Sequence, residues 1–288
     1  MIQLLNRDQL DEEKYNNCIS CTINTRIYAY SWYLDTICDD WDVLIKDDYH
    51  TVMPLPKRKK YGIHYIYQAP WIQQLGIFSS QPVDEMAIHQ FIKSIPKKYK
   101  LIDVFFNSDN RFSSKYTRVR NNYILSLDSN FEDIKSNYNK NRTRISKTDF
   151  GNFIIDTSGN STEFLNLYKE QHLNYQSHKD AFDKLRNLLN IDKDQVNIWN
   201  VYDTDKIVAG LCWLKDTHRI TYLVPLATKE AKYNNIPTFL VNELIKAHIN
   251  SKYILDFEGS MAEGVAKFYK SFGAVKEEYL WYKRRSIW

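Results

Sequence analysis

The sequence predicts an α/β protein of two domains, and three observations carry that expectation. Strand-like alternation and helix-like periodicity succeed one another in both halves of the chain. A polar helical stretch at 129–147 lies between the halves. The chain has 288 residues, 43% of them hydrophobic, which is enough to bury a large core and suits two domains of ordinary size. The expected division is 1–145 and 146–288, with the last strand able to pack on the first domain.

Composition narrows the class. No run of about 18 apolar residues occurs, and Met1–Leu10 has neither a basic n-region nor an apolar h-region. No membrane span is expected, and the expected location is cytoplasmic. Cys18, Cys21, Cys38 and Cys212 are too few and too scattered for a disulfide framework. Cys18-Ile-Ser-Cys21 lacks a second ligand pair, so no metal site is expected. The net charge of +4 hides a gradient: residues 1–48 hold ten acidic and four basic side chains, and residues 111–147 hold nine basic and three acidic. Such asymmetry suits a partner that carries phosphate. No RNA-binding module with stacked aromatics is recognisable, and no DNA partner is expected.

In chain order, a polar helix start leads to a helix at Tyr30–Cys38 with Trp32, Tyr33 and Thr36 on one side. Strands follow at Val43–Ile45 and Thr51–Leu55, with Lys57-Arg-Lys-Lys60 as a basic hairpin tip before the strand Gly62–Tyr67. The loop from Gln68 to Phe78 is rich in aromatic and amide groups, and such loops carry function disproportionately. Gln68, Gln73 and Gln74, with Trp32 and Tyr33, are therefore candidates to bind an acceptor. A helix at 82–95 and strands at Leu101–Phe106 and Tyr123–Leu127 complete the first half. Ser129-Asn-Phe-Glu132 is a capping box that opens the bridging helix to Lys147.

The second half reads as helices at Ser161–Tyr168 and Phe182–Leu189, then strands at Val196–Tyr202, within Asp203–Gly210 and at Ile220–Leu226, and a helix from Pro237 to Ile249. Residues 253–257 alternate as a strand, with Tyr253, Leu255 and Phe257 on one face and Ile254 and Asp256 on the other. Glu258 falls on the face of Asp256. Ser260 and Glu263 form a capping box that starts a helix near Met261, and Gly273 is its left-handed terminator. Val265, Phe268, Tyr269 and Phe272 share one face of that helix.

The run Ala266-Lys-Phe-Tyr269-Lys-Ser-Phe-Gly273 resembles a motif of the GNAT superfamily of acyl-coenzyme A N-acyltransferases. Read from its residues alone, Tyr269 is as readily a core aromatic. The resemblance implies that Tyr269 is the general acid that protonates a departing thiolate. It also implies that the strand Ile220–Leu226 parts from its neighbour and leaves a slot for the thioester arm. Leu223, Val224 and Leu226 would line that slot. Family members place a glycine-containing loop before the next helix to cradle a pyrophosphate. This chain has Lys229-Glu-Ala-Lys-Tyr-Asn-Asn-Ile-Pro237 there, without glycine, so side chains of Lys232, Asn234 and Asn235 are the expected donors instead. Asp256 and Glu258 are the candidates for a base that deprotonates the attacking amine.

Arg142-Thr-Arg-Ile145-Ser-Lys147 and the order of elements resemble the Fem family of peptidoglycan-bridge aminoacyltransferases, which are tandem GNAT-like domains. This second resemblance implies two such domains, each a mixed, mostly antiparallel sheet flanked by helices. It also implies a phosphorylated acceptor, for which Arg142 and the 57–60 tip are the candidate ligands. Where Fem enzymes carry Phe-Lys-x-x-Phe, this chain has Phe268-Tyr269-Lys270-Ser271-Phe272, a change that favours a thioester over an aminoacyl-tRNA. The function expected is acyl transfer from coenzyme A or an acyl carrier to an amine of a small or phosphorylated acceptor, with no resident cofactor. The alternatives are a tRNA-dependent Fem-type transferase and an inert binding module of the same fold.

Overall fold

The computed structural model describes residues 1–172 and 178–285. These form two compact units, Met1–Asn121 with Glu277–Trp288, and Asn122–Lys276.

In the first unit, strands β1 (Ile2–Asn6), β2 (Trp41–Lys46), β3 (Thr51–Lys60), β4 (Ile63–Ile66) and β6 (Tyr99–Phe106) are neighbours in that order, and β5 (Phe78–Ser79) pairs with β3. The final strand of the chain, β13 (Val275–Arg285), lies antiparallel to β6. Helices α1 (Glu12–Cys21), α2 (Ser31–Ile37) and α3 (Glu85–Ser94) accompany the sheet. Asp11 and Asp84 cap α1 and α3 by accepting from the amides of Lys14 and Ala87, which satisfies donors that have no partner within the helix. Alternation along β6 sends Ile102, Val104 and Phe106 inward, against Ile88, Phe91 and Ile92 of α3.

Two expectations change here. The chain begins with a strand, not a helix. Lys57–Lys60 is not a hairpin tip but the end of β3, with the turn at Tyr61-Gly62. Its first two cations are already paired, Lys57 with Asp40 and Asp42 and Arg58 with Asp39.

The second unit carries β7 (Thr117–Ser126) from Asn122 onward, β8 (Phe153–Asp156), β9 (Val196–Asp203), β10 (Lys206–Lys215), β11 (Arg219–Ala227) and β12 (Ile254–Asp256). Their order is β7-β12-β11-β10-β9-β8. The β11–β12 pair is parallel and the others are antiparallel. Helices α4 (Phe131–Ser136), α5 (Lys140–Ile145), α6 (Ser161–Gln171), α7 (Lys179–Leu189), α8 (Lys229–Tyr233), α9 (Ile236–Lys246) and α10 (Glu263–Lys270) surround it. Leu211, Ile220, Leu240, Val241, Leu244, Leu255, Phe257 and Phe272 fill the core. Among the described residues, no helix is long and apolar enough to cross a membrane.

The stretch at 129–147 is two short helices, α4 and α5, instead of one. Asn130 caps the first and Asn139 caps the second. Asparagine competes for backbone donors, so Asn137 and Asn139 end one helix and begin the next. Both helices belong to the second unit. The division therefore falls at Asn121/Asn122, ahead of the expected 145/146, and Glu277–Trp288 groups with the first unit.

Gly273 closes α10 at φ +78°. A Cβ there would meet the Cβ of Asn137 at 2.7 Å and its carbonyl oxygen at 3.1 Å. Left-handed backbone with a side chain costs about 1–3 kcal/mol. Gly273→Ala is therefore expected to lower stability by at least about 1 kcal/mol, read as a lower urea midpoint at unchanged slope; an unchanged midpoint would refute this account of the turn.

Candidate active site

The site is built where β11 and β12 part. They pair in parallel through only three residues, Arg219 with Ile254, Ile220 with Leu255 and Thr221 with Asp256. Beyond Thr221, β11 runs on to Ala227 with no strand beside it on that side among the described residues. On its other side, Tyr222 is opposite Trp213 and Val224 is opposite Cys212, so Leu223 is an extra residue without a partner. A bulge of this kind bends the strand and leaves the extra residue unpaired. Pro225 sits on the diverging stretch, where a missing N–H removes no ladder bond on the open edge.

The parting leaves a cavity of about 520 Å³. Tyr222, Pro225, Leu226 and Ala227 line it from β11, Lys232, Asn235 and Thr238 from α8 and α9, Arg142 from α5, and Val265, Phe268 and Tyr269 from α10. Tyr269 is 7% exposed. Its ring stacks on Phe257 at 4.6 Å and meets Tyr222 edge-on at 6.2 Å. Among the described residues nothing hydrogen-bonds its hydroxyl. Burial, and then the charges of Glu258 and Asp256, raise its pKa well above the ordinary phenol value.

The α10 helix does not begin at the expected capping box. Ala262 is the N-cap, without a side-chain bond, and Ser260 accepts instead from the amide of Ala262 in a local turn.

The two carboxylates differ in what they touch. Asp256 is 1% exposed. Its Oδ2 accepts from Arg219 Nη1 at 2.7 Å, and its Oδ1 accepts from Asn122 Nδ2 at 2.9 Å and from the amide of Glu258 at 2.8 Å. Its acceptor positions are thus committed to holding β12, β7 and β11 together. Glu258 is half-buried, and its backbone is left-handed, at φ +58°. The Asp256–Glu258 amide bond holds that strained turn, and strain of this kind gathers at functional sites. Burial, and then the charge of Glu258, raise the pKa of Cys212 on β10.

Arg142 lies in this cavity, 7% exposed, held by Ser271 through Nε at 2.9 Å and by Thr238 through Nη1. Its guanidinium sits over the rings of Phe268 and Phe272 at 4.6 and 4.5 Å. Burial pulls its pKa down to about 10.

Of the expected slot residues, Leu226, Lys232 and Asn235 line the cavity, and Leu223, Val224 and Asn234 do not. The expected acceptor residues of the first unit are spent on its own structure. Tyr33 donates to the carbonyl of Trp71 at 2.5 Å, and Trp32 packs edge-on against Tyr33. Gln68 bridges Ile72 and Phe105, Gln74 accepts from the amide of Ser108 and donates to Gln73, and both Gln73 and Gln74 are buried. Tyr33, Gln68 and Gln74 pin loops, and the amide nitrogen of Gln73 is buried without a hydrogen-bond partner among the described residues.

Comparison with solved structures places this geometry. The fold superposes on FemX with a TM-score of 0.67 at 10% identity, over 97% of each chain. The tandem GNAT fold is the fold of this chain. A tandem GNAT protein from the clavulanic acid biosynthesis pathway matches with a TM-score of 0.57 at 8% identity, over 100% of this chain and 99% of that one. A conserved protein of unknown function from Bacteroides thetaiotaomicron matches at 0.64 and 13%, over 98% and 100%. No protein-family model and no curated protein matches the sequence.

Within this GNAT fold, Tyr222, Arg219 and Asn122 are the site residues that sequence reading missed. Tyr222 lay inside an expected strand, and its alternation could have been read. Arg219 and Asn122 carry no local signal, because their partner Asp256 is distant in sequence.

Removing one member of a buried pair strands the other charge, at a cost of about 3–5 kcal/mol. Arg219→Met is expected to destabilise the protein on that scale, and Arg219→Met with Asp256→Asn to recover part of the loss in urea titrations, since the amide oxygen can still accept from Asn122 and the Glu258 amide while the stranded charge is gone. A single substitution without effect would remove the pair from any structural role.

Proposed function

We propose that the second unit is an N-acyltransferase that moves an acyl group from a thioester to an amine. The observation that carries this reading is the cavity opened by the three-residue β11–β12 pairing and lined by Tyr269. A thioester laid along the free edge of β11 would meet the backbone of the Tyr222–Ala227 stretch, which has no strand beside it there among the described residues and lines the cavity, and backbone donors suit charge developing on the carbonyl oxygen. The amine attacks as the neutral base, its nitrogen bonds to the carbonyl carbon, and the carbon–sulfur bond breaks. Glu258, on the left-handed turn that follows β12, takes the proton lost by nitrogen. Asp256, whose oxygens are committed, positions Glu258 instead of acting as a base. Tyr269 gives its proton to the departing sulfur and regains one from solvent.

A second reading, transfer from an aminoacyl-tRNA, is favoured by one feature. The segment Lys229–Pro237 has no glycine and forms α8, which leaves no open loop of backbone amides for a pyrophosphate. In the same family of readings the acceptor is a small or phosphorylated amine, and the expected location stays cytoplasmic.

The test is product mass after incubation with acyl-coenzyme A, or with charged tRNA, and a panel of amines. With the productive pair in hand, Tyr269→Phe keeps the ring stacked on Phe257. It is expected to lower kcat by about 10²–10⁴-fold at nearly unchanged stability. Because burial raises the Tyr269 pKa, the rate should rise as the amine loses its proton and show no fall from tyrosine ionisation up to about pH 10, the ordinary phenol value. Full turnover by Tyr269→Phe would remove the tyrosine from the chemistry.

A further inference from the structure

We propose that Arg142 is the anchor for a phosphate of the acyl donor, a phosphopantetheine thioester; this rests on the thioester reading above. Three observations carry it. First, Arg142 is a buried cation with no carboxylate at ion-pair distance among the described residues. The undescribed segment between α6 and α7, residues 173–177, contains no acid. Elsewhere in the same unit a buried arginine does have its carboxylate, as Arg219 has Asp256. Burying a guanidinium without a countercharge is costly, and here burial pulls its pKa down to about 10.

Second, the geometry leaves part of the guanidinium open. Nε is used by Ser271 and Nη1 by Thr238, and Nη2 has no partner among the described residues while Arg142 lines the cavity. The rings of Phe268 and Phe272 fix the plane of the group. A planar, always charged fork held on one side is suited to a phosphate on the other.

Third, Thr238 lies in the first turn of α9, so the cation sits at the positive end of a helix dipole. That arrangement is repulsive with nothing between the two and attractive with an anion there. Lys232 lines the same cavity. Arg142 thus supplies from α5 what Lys229–Pro237 lacks, and it belongs to the donor site of the second unit, not to an acceptor site.

The experiment is calorimetric binding of coenzyme A, of pantetheine without phosphate and of inorganic pyrophosphate to the wild type, Arg142→Met and Arg142→Lys. The expected result is that Arg142→Met weakens coenzyme A and pyrophosphate by about 10- to 100-fold, leaves pantetheine unchanged, and is partly rescued by Arg142→Lys. Equal weakening of coenzyme A and pantetheine, or no weakening of either phosphate compound, overturns the proposal. Pyrophosphate binding lost in Arg142→Met, with no binding of coenzyme A or pantetheine to the wild type, keeps the anion site and defeats the thioester reading. If Arg142→Met does not fold, Arg142→Lys decides, since affinity for both phosphate compounds equal to the wild type's overturns the fork-specific role.

Discussion

The second unit depends on how little β11 and β12 touch. Three parallel pairs hold them, and the Arg219–Asp256 ion pair is fixed at that junction. Asp256 also takes the side chain of Asn122 on β7 and the amide of Glu258. One buried carboxylate therefore ties three strands together and sets the turn that carries Glu258. Past the junction the strands are free to diverge, and the bulge at Leu223 bends β11 away. The cavity follows from this short pairing and not from any missing side chain.

Two buried arginines show opposite uses of charge. Arg219 is neutralised internally, so its worth lies in what its removal would strand. Arg142 is held by neutral hydroxyls and aromatic rings, which fix its direction without cancelling its charge. The first is a clamp and the second is an uncancelled charge on the cavity wall. Asp256 and Glu258 differ in burial as well, the first almost fully buried and the second half-exposed on a left-handed turn.

The first unit has a different economy. Its buried amides and hydroxyls, among them Asn24, Gln74, Asn107, Ser108 and Asn110, bond one another and the backbones of the loops near Ile77 and Ser108. Buried polar groups must find partners, and here they find them at home. An aromatic and amide-rich loop reads in sequence as a binding surface, yet the same composition serves a loop that is folded inward.

The sequence by itself determined the α/β class, most strands and helices, the terminator Gly273 and the motif around Tyr269, because these rest on periodicity and turn chemistry that act over a few residues. It misjudged the stretch at 129–147, where apolar spacing suggested one helix and Asn137 and Asn139 broke it, and the Ser260 box, whose hydroxyl bonded a nearer amide. The tertiary structure alone decided that Arg219 answers Asp256, that Asn122 joins them, that Arg142 lines the cavity beside β11 and that Gln73 and Gln74 are internal. Each of these turns on whether a charge or amide, once out of water, meets a partner from a distant part of the chain, and local sequence does not encode that meeting.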